Sequence, residues 1–157
     1  MIQRIQSVYL LISILLLSSL LSGVTMLSFV SGDTHSKFTV FGLFWKNKNE
    51  EIYKSDLSFP FYIILIFLVL IQLAALLNYK KLKAQLKWAQ YGFLIYVVLG
   101  LALLIFFLAG SDLALPASTA TPGVGLFLFL TGIPFTFLAV KAIKKDKALI
   151  DSVDRIR

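Results

Sequence analysis

Tyr91 to Gly110 read YGFLIYVVLGLALLIFFLAG, twenty residues without a charged side chain. A helix of that length rises about 30 Å, which matches the hydrocarbon thickness of a bilayer. Three further uncharged stretches are as long: Ser7 to Ser31, Leu57 to Tyr79, and Leu113 to Val140, the last interrupted by prolines and glycines. The sequence therefore predicts an all-α, polytopic membrane protein in which four transmembrane helices form one antiparallel bundle.

The predicted boundaries divide a single domain of 157 residues into helices, loops and a tail. Helices are expected at about 7–31, 58–79, 91–110 and 122–143, with an outer loop at 32–57, a connector at 80–90 and an amphipathic tail at 144–157. Pro122 lies in the first turn of the fourth helix, and Pro134 should kink that helix. In the outer loop, the β-prone runs Lys37 to Trp45 and Glu51 to Lys54 predict either a short hairpin or an irregular aromatic loop.

Composition favours lipid over water as the solvent of this chain. Hydrophobic residues make up 59% of it and the mean hydropathy is +0.88, whereas soluble domains contain about 45–50% apolar residues. The absence of cysteine excludes disulfides and thiolate metal sites. The first apolar run follows Arg4 as a signal peptide would, but its uncharged stretch exceeds the roughly 7–15 residues of a signal core, so we expect an uncleaved helix.

Lysine and arginine are distributed unequally between alternate sides of the predicted membrane. Eleven of them fall in the N-terminus, the connector and the tail: Arg4, Lys80, Lys81, Lys83, Lys87, Lys141, Lys144, Lys145, Lys147, Arg155 and Arg157. The remaining four fall in the first outer loop. Because cytoplasmic loops retain positive charge, both termini are predicted to be cytoplasmic. The net charge of +7 then indicates contact with the bilayer and its anionic inner-leaflet lipids, not with nucleic acid.

Candidate catalytic groups are scarce in the predicted spans. No carboxylate, histidine, lysine or arginine lies within the four uncharged stretches, and Gln72 is their largest uncharged polar side chain outside the aromatic residues. His35 is the only histidine, and with Asp33 beside it the pair does not make a metal site. We therefore expect no enzymatic activity, no cofactor and no metal.

Two interpretations of Gln72 remain open. Its amide can hydrogen-bond across the helices and hold them together. Alternatively, Gln72 lines a substrate pathway together with Thr131 and the kink at Pro134, since interrupted helices often mark such sites.

The tail carries a second candidate interaction surface. Leu149, Val153 and Ile156 recur at i, i+4 and i+7 on one helical face, and Asp151 pairs with Arg155 on another. An amphipathic basic helix is expected to lie on the inner leaflet, with folding back onto the connector or binding a partner protein as alternatives. The predicted interaction residues are Gln72, Leu149, Val153, Arg155, Ile156 and Arg157, and the membrane-protein partner is unknown.

Four segments carry a resemblance to a known family: Met1 to Leu10 (MIQRIQSVYL), Phe41 to Phe44 (FGLF), Ile143 to Asp146, and Leu149 to Arg157, which ends in DRIR. Over nearly its whole length the chain resembles a family of small, uncharacterised four-helix integral membrane proteins of Bacteroidetes, a domain of unknown function. The resemblance implies four helices and a bacterial inner membrane, and it supplies no catalytic or binding residues. Because its specific parts lie at the two cytoplasmic ends, it implies that those ends recognise a partner.

These observations together predict a non-enzymatic protein of the inner membrane that acts as a scaffold or as an assembly or accessory subunit. The alternative is a small transporter, channel or lipid-handling subunit whose pathway passes Gln72.

Overall fold

Helices and a β-sheet share the chain. The computed structural model describes residues 3–31, 34–46, 52–54, 61–114 and 119–154. These residues form α1 (Gln3–Leu20), β1 (Leu27–Ser31), β2 (Thr34–Thr39), β3 (Gly42–Lys46), β4 (Ile52–Lys54), α2 (Phe61–Leu77), α3 (Leu82–Ala114), β5 (Thr119–Pro122) and α4 (Val124–Asp154). The four helices agree with the prediction, but the all-α class is wrong because five strands form a sheet.

The four helices, called here the helical layer, pack so that each one lies against two neighbours. α1 lies against α2 and α4, and α3 lies against the same two helices. α1 and α4 are antiparallel, since Gln6 contacts Asp146 and Ser13 contacts Thr136. α3 and α4 are antiparallel as well, which the ring contact between Phe93 and Phe137 illustrates at a centroid distance of 5.7 Å.

Two helices of the described residues are long and apolar enough to cross a membrane. They are Leu82–Leu108 in α3, whose most apolar 18-residue window has a mean hydropathy of 2.6, and Val124–Ser152 in α4, whose corresponding window has a mean hydropathy of 2.0. Ile5–Leu20 and Phe61–Leu77 are apolar but shorter. Within the described residues, therefore, α3 and α4 alone have the length and composition of a full span, whereas four full spans were predicted.

The first helix ends well before its predicted boundary at residue 31. It stops at Leu20, where Gly23 donates its N–H to the Leu20 carbonyl at 3.1 Å and adopts a left-handed φ of +83°. The following stretch Leu27–Ser31 is a strand whose Leu27 and Phe29 are fully buried, while Ser28 and Val30 are half-buried. Burial that alternates with period two identifies a strand, which the uncharged composition of the run concealed.

The sheet has the order β4-β3-β2-β1-β5, and every neighbouring pair is antiparallel. The predicted hairpin is confirmed as β3–β4, with Trp45 opposite Tyr53; its connection at 47–51 lies outside the described residues. The run Lys37 to Trp45 is divided by a turn, where Gly42 adopts a φ of +133°. β5 comes from the connection before α4 and pairs with β1, a long-range contact that no local pattern encodes.

The sheet covers one end of the helical layer. Phe29 of β1 meets Phe106 of α3 edge to face at 6.0 Å, and Phe38 of β2 lies 5.1 Å from the same ring. At the junction of β5 and α4, Gly123 donates its N–H to the Met26 carbonyl at 2.8 Å. A Cβ at Gly123 would come within 2.3 Å of a backbone oxygen, so glycine is required for this close approach.

α3 and α4 are both longer than predicted. α3 begins at Leu82, so most of the connector at 80–90 is helical, and it continues beyond residue 110 to Ala114. Pro122 ends β5 instead of beginning a helix, because its pairing with Leu27 extends the sheet. α4 runs from Val124 through Pro134 to Asp154 as one helix. The tail therefore continues α4 up to that residue and does not form a separate helix lying on a membrane.

Candidate functional site

A cluster of polar side chains joins all four helices near their middle. Gln72 Nε2 of α2 donates to Thr136 Oγ1 of α4 at 3.2 Å, and Ser13 Oγ of α1 lies 2.8 Å from the same hydroxyl. Tyr96 of α3 donates its hydroxyl to the Phe129 carbonyl of α4 at 2.9 Å. Gln72, Ser13, Tyr96 and Thr136 are all fully buried. α4 is thus the common partner of the other three helices, and we call these four residues with Gly132 the polar cluster.

Gly132 gives the polar cluster its close packing. A Cβ at this position would lie 2.0 Å from the Tyr96 hydroxyl oxygen and 2.9 Å from the ring carbon that carries it. The Gly132 carbonyl also accepts the Thr136 hydroxyl at 3.0 Å, one turn along α4. Small residues at helix contacts let backbones approach in this way, and the approach brings the hydroxyls within bonding distance.

Gln72 faces the interior as predicted, but the pathway residues suggested with it do not. Thr131 and Pro134 are exposed on the outer face of α4, and Thr131 donates its hydroxyl to the Phe127 carbonyl of its own helix at 2.7 Å. The three residues therefore do not line one passage. Gln72 Oε1 is buried and has no hydrogen-bond partner in the structure. Its Nε2 alone makes an interhelical bond.

A second polar contact joins α1 to α4 towards the end of the helical layer that lies opposite the sheet. Gln6 donates its side-chain amide to Asp146 Oδ2, and the two side chains are 1% and 6% exposed. Between this pair and the polar cluster lies a small apolar core in which Leu10, Ala75 and Ile143 are fully buried. Asp146 lies on the same inward face of α4 as Ile143, one turn further along. Its burial is explained by the hydrogen bond that it accepts from the Gln6 amide.

The end of the helical layer opposite the sheet is rich in lysine. We call it the lysine end, and it holds Lys80, Lys81, Lys83, Lys87, Lys144, Lys145 and Lys147. A groove of about 300 Å³ opens here between the start of α3 and the end of α4. Its lining, called the lysine groove, consists of Lys81, Leu82, Lys83, Lys147, Ile150 and Asp151. It brings the predicted connector and tail together.

The predicted interaction residues of the tail fall partly within the structure. Leu149 is 47% exposed on α4 and is free to contact another molecule. Val153 lies in the last turn of α4. Arg155, Ile156 and Arg157 lie outside the described residues. Ile150 and Asp151 line the lysine groove beside the connector, but they do so as part of the continuous helix α4 and not as a segment folded back onto the connector.

Sequence reasoning missed Tyr96, Gly132 and the Gln6–Asp146 contact. Asp146 could have been found, because it continues the spacing of buried Ala139 and Ile143 along α4. Tyr96 could not, because a tyrosine in an apolar helix is equally consistent with a ring at the lipid surface. Within the described residues, no three His, Cys, Asp or Glu side chains are grouped as metal ligands would be.

Residues 2–156 match the model of a family described as a domain of unknown function, DUF4293. The chain belongs to this family. No curated protein matches it in sequence. DUF4293 membership covers almost all of the chain and confirms the resemblance to a family of unknown function, while a Bacteroidetes distribution and a membrane location stay predictions. DUF4293 assigns no role to any residue, so the function must be argued from the geometry.

Proposed function

We propose that this DUF4293 protein is a four-pass integral protein of the bacterial inner membrane that serves as a non-catalytic scaffold or accessory subunit. The observation that carries membrane insertion is the apolar outer surface of every helix. In the most apolar window of α3, only 22% of the residues are buried within the protein. A core helix of a soluble protein would be mostly buried, whereas a helix surrounded by lipid would not.

The exposed apolar side chains are large and lie on all four helices. They include Val8, Leu11 and Leu15 of α1, Ile63, Phe67 and Leu70 of α2, Leu94, Val98 and Ile105 of α3, and Phe127 and Phe137 of α4. Soluble monomers rarely expose continuous apolar patches larger than a few hundred Å². Lipid contact accounts for this surface without requiring a partner on every side.

The shorter helices are compatible with spanning as well. α1 and α2 contain 18 and 17 residues, which rise about 27 and 26 Å against a hydrocarbon core of about 30 Å. Tyr79, Trp88 and Tyr91 are exposed near the lysine end, where interfacial aromatic rings are expected. The lysines are concentrated at this end, and the sheet lies at the other. Because positive charge is retained on the cytoplasmic side of a membrane, this distribution supports a cytoplasmic location of the lysine end.

The scaffold function is supported by the way the interior of the helical layer is filled. Its middle is joined by the polar cluster, so Gln72 is engaged with Thr136 and not with residues of an open passage. Chemistry and transport both need polar groups in an accessible cavity, whereas the exposed hydroxyl of Thr131 lies on the outer face of α4. The surfaces available for recognition are therefore the sheet, the exposed Leu149 and the lysine groove.

A second function, a small transporter, channel or lipid-handling subunit, is favoured by one observation. Gln72 Oε1 is a buried acceptor without a partner in the structure, and such an atom costs about 1–3 kcal/mol unless something occupies it. Gln72→Leu separates the two functions, because a pathway residue would be needed for flux while a packing residue would not.

Membrane topology can be tested with single cysteines, since the chain has none of its own. Thr121→Cys on β5 and Ser152→Cys on α4 place thiols at exposed positions at opposite ends. In intact spheroplasts, an impermeant maleimide should label Thr121→Cys only, and both should react after lysis. Labelling of Ser152→Cys before lysis would reverse the orientation, and release of the protein by alkaline extraction would rule out insertion.

The scaffold function can be tested with a photo-crosslinking amino acid at Leu149, with Phe127, exposed near the other end of α4, as the control. In native cells, Leu149 should give an adduct with one protein of defined mass and Phe127 should not. If Leu149 yields no protein adduct, the scaffold function at the cytoplasmic end is contradicted.

A further inference from the structure

We propose that the lysine groove binds the phosphate group of an anionic phospholipid at the cytoplasmic surface. The site requires the membrane insertion proposed above and adds a defined ligand to it. The groove, at about 300 Å³, lies at the small end of the range of about 300–1,000 Å³ that ligand pockets cover.

The groove exists because α1 and α4 end at different levels. Gln6 contacts Asp146, and α1 begins at Gln3, whereas α4 continues beyond this contact to Asp154. The extension from Asp146 to Asp154 rises about 12 Å. Burial along α4 falls accordingly, from 0% exposure at Ile143 to 6% at Asp146 and 44% at Ile150. Among the described residues, therefore, no helix covers the last turns of α4 where they stand beside the start of α3.

The charges of the lining favour an anion. Lys81, Lys83 and Lys147 face Asp151 as the one acidic lining residue. The first turn of α3 contains no acidic residue, and the Lys81 carbonyl accepts the N–H of Gln85 at 2.9 Å, which makes Lys81 the N-cap residue of this helix. The lysine side chain has no acceptor for the free N–H groups in the first turn of α3, and the helix dipole adds positive potential there.

The depth of the groove favours a lipid phosphate over a dissolved one. Trp88 and Tyr91 are exposed on α3 and mark the boundary between hydrocarbon and headgroups. Lys83 lies five residues before Trp88, about 7.5 Å closer to the lysine end along the helix axis. This distance places Lys83 at the level of the lipid headgroups.

The apolar part of the lining supports the same ligand. Leu82 and Ile150 line the groove with the three lysines, and Ile150 is 44% exposed although it lies beside charged residues. A free phosphate would leave this apolar surface in water, whereas the glycerol and first methylenes of a phospholipid would cover it. The combination of ammonium groups and apolar side chains therefore matches a lipid better than an inorganic anion.

The test uses the full chain, purified in detergent and mixed with equal amounts of phosphatidylglycerol and phosphatidylcholine. Native mass spectrometry then measures which lipid stays bound. We expect the wild type to prefer phosphatidylglycerol by at least about fivefold, the factor that one lysine contributes near an anionic surface. The variant Lys81→Gln/Lys83→Gln/Lys147→Gln should lose that preference. The control Lys87→Gln/Lys141→Gln/Lys144→Gln removes the same charge outside the groove and should keep it.

The outcomes distinguish failure of the lipid site from failure of the membrane insertion on which the site depends. Equal loss in both triple variants would reject the lysine groove and indicate a diffuse charge effect. Displacement of the lipid by inorganic phosphate at the same concentration would reject the lipid as ligand. Circular dichroism and alkaline extraction of the same variants report folding and insertion, so a protein that folds but is extracted contradicts the membrane proposal itself.

Discussion

The middle of the helical layer and its lysine end are built from the same helices but leave different amounts of space between them. In the middle, Gly132 lets α3 approach α4 so closely that a Cβ would lie 2.0 Å from the Tyr96 hydroxyl. At the lysine end, α4 extends eight residues past Asp146 whereas the described part of α1 extends only three past Gln6, and a groove of about 300 Å³ opens.

The difference assigns separate tasks to the two regions. Bonds in the middle hold the helices together and have no access to solvent, so changes there should alter stability. The lysine groove is lined by exposed or half-buried side chains, so changes there should alter binding and leave stability unchanged. Each of the following substitutions tests this division.

The largest effect is expected from Gly132→Ala. The new methyl group would overlap the Tyr96 hydroxyl, and overpacking of a filled interior costs about 1–3 kcal/mol. Alanine gains about 1 kcal/mol of helix propensity over glycine, so a net loss would be caused by the clash alone. Unfolding by dodecyl sulfate, followed by circular dichroism in mild detergent, measures the free-energy difference.

Two controls sharpen that measurement. At Gly100 a Cβ would meet the flexible end of Ile133 at 3.0 Å, so Gly100→Ala should cost clearly less. Tyr96→Phe removes the clashing oxygen and should restore part of the stability lost in Gly132→Ala. Wild-type stability of Gly132→Ala would contradict the close packing of α3 and α4.

Asp146→Ala is the next largest expected effect. It leaves the buried Gln6 amide without its acceptor, and an unpaired buried polar group costs about 1–3 kcal/mol. Asp146→Asn retains an oxygen acceptor and should cost less. Asp151→Ala, at an exposed position one turn further, is the matched control and should change stability by no more than about 0.5 kcal/mol. Equal effects at positions 146 and 151 would show that Gln6 does not depend on Asp146.

The helices of this fold could be predicted from sequence because lipid-compatible helices need only a long uncharged run. The complete sheet could not, because two of its strands are encoded by features that composition hides. Leu27–Ser31 follows an apolar helix and reads as its continuation, although its side chains alternate in burial. β5 pairs with β1 across most of the chain, and its Pro122 carries the signal of a helix start.

The candidate site shows the same limit. Gln72 was identified because a single amide in an apolar helix is conspicuous, but its partner Thr136 lies on another helix, so the contact depends on packing that no local pattern encodes. For the two basic segments of the lysine groove, the sequence offered contact between tail and connector only as one alternative to a tail on the inner leaflet. Their convergence depends on how α3 packs against α4, which is a property of packing and not of local pattern.

A smaller effect is expected from Gln72→Leu. The substitution removes one bond to Thr136, worth about 0.6 kcal/mol on average between helices in a membrane. It also removes the buried Oε1, which has no partner, so the two changes oppose each other. Thr136→Val should cost more, because it leaves both Gln72 and Ser13 without their shared partner. A loss in Gln72→Leu as large as in Thr136→Val would mean that Oε1 is satisfied in the membrane, which would favour the transport function.

The smallest effect on stability, and the clearest separation of the two regions, is expected from Lys147→Gln. Lys147 is half-buried in the wall of the lysine groove, and a substitution away from the buried contacts changes stability by no more than about 0.5 kcal/mol. Loss of one ammonium group should nevertheless lower the preference for phosphatidylglycerol by about fivefold. Lys144→Gln removes the same charge from an exposed site outside the groove and should leave the preference unchanged. Because unfolding and lipid retention are measured on the same preparation, a variant that loses stability and lipid together would show that the groove is part of the structural core.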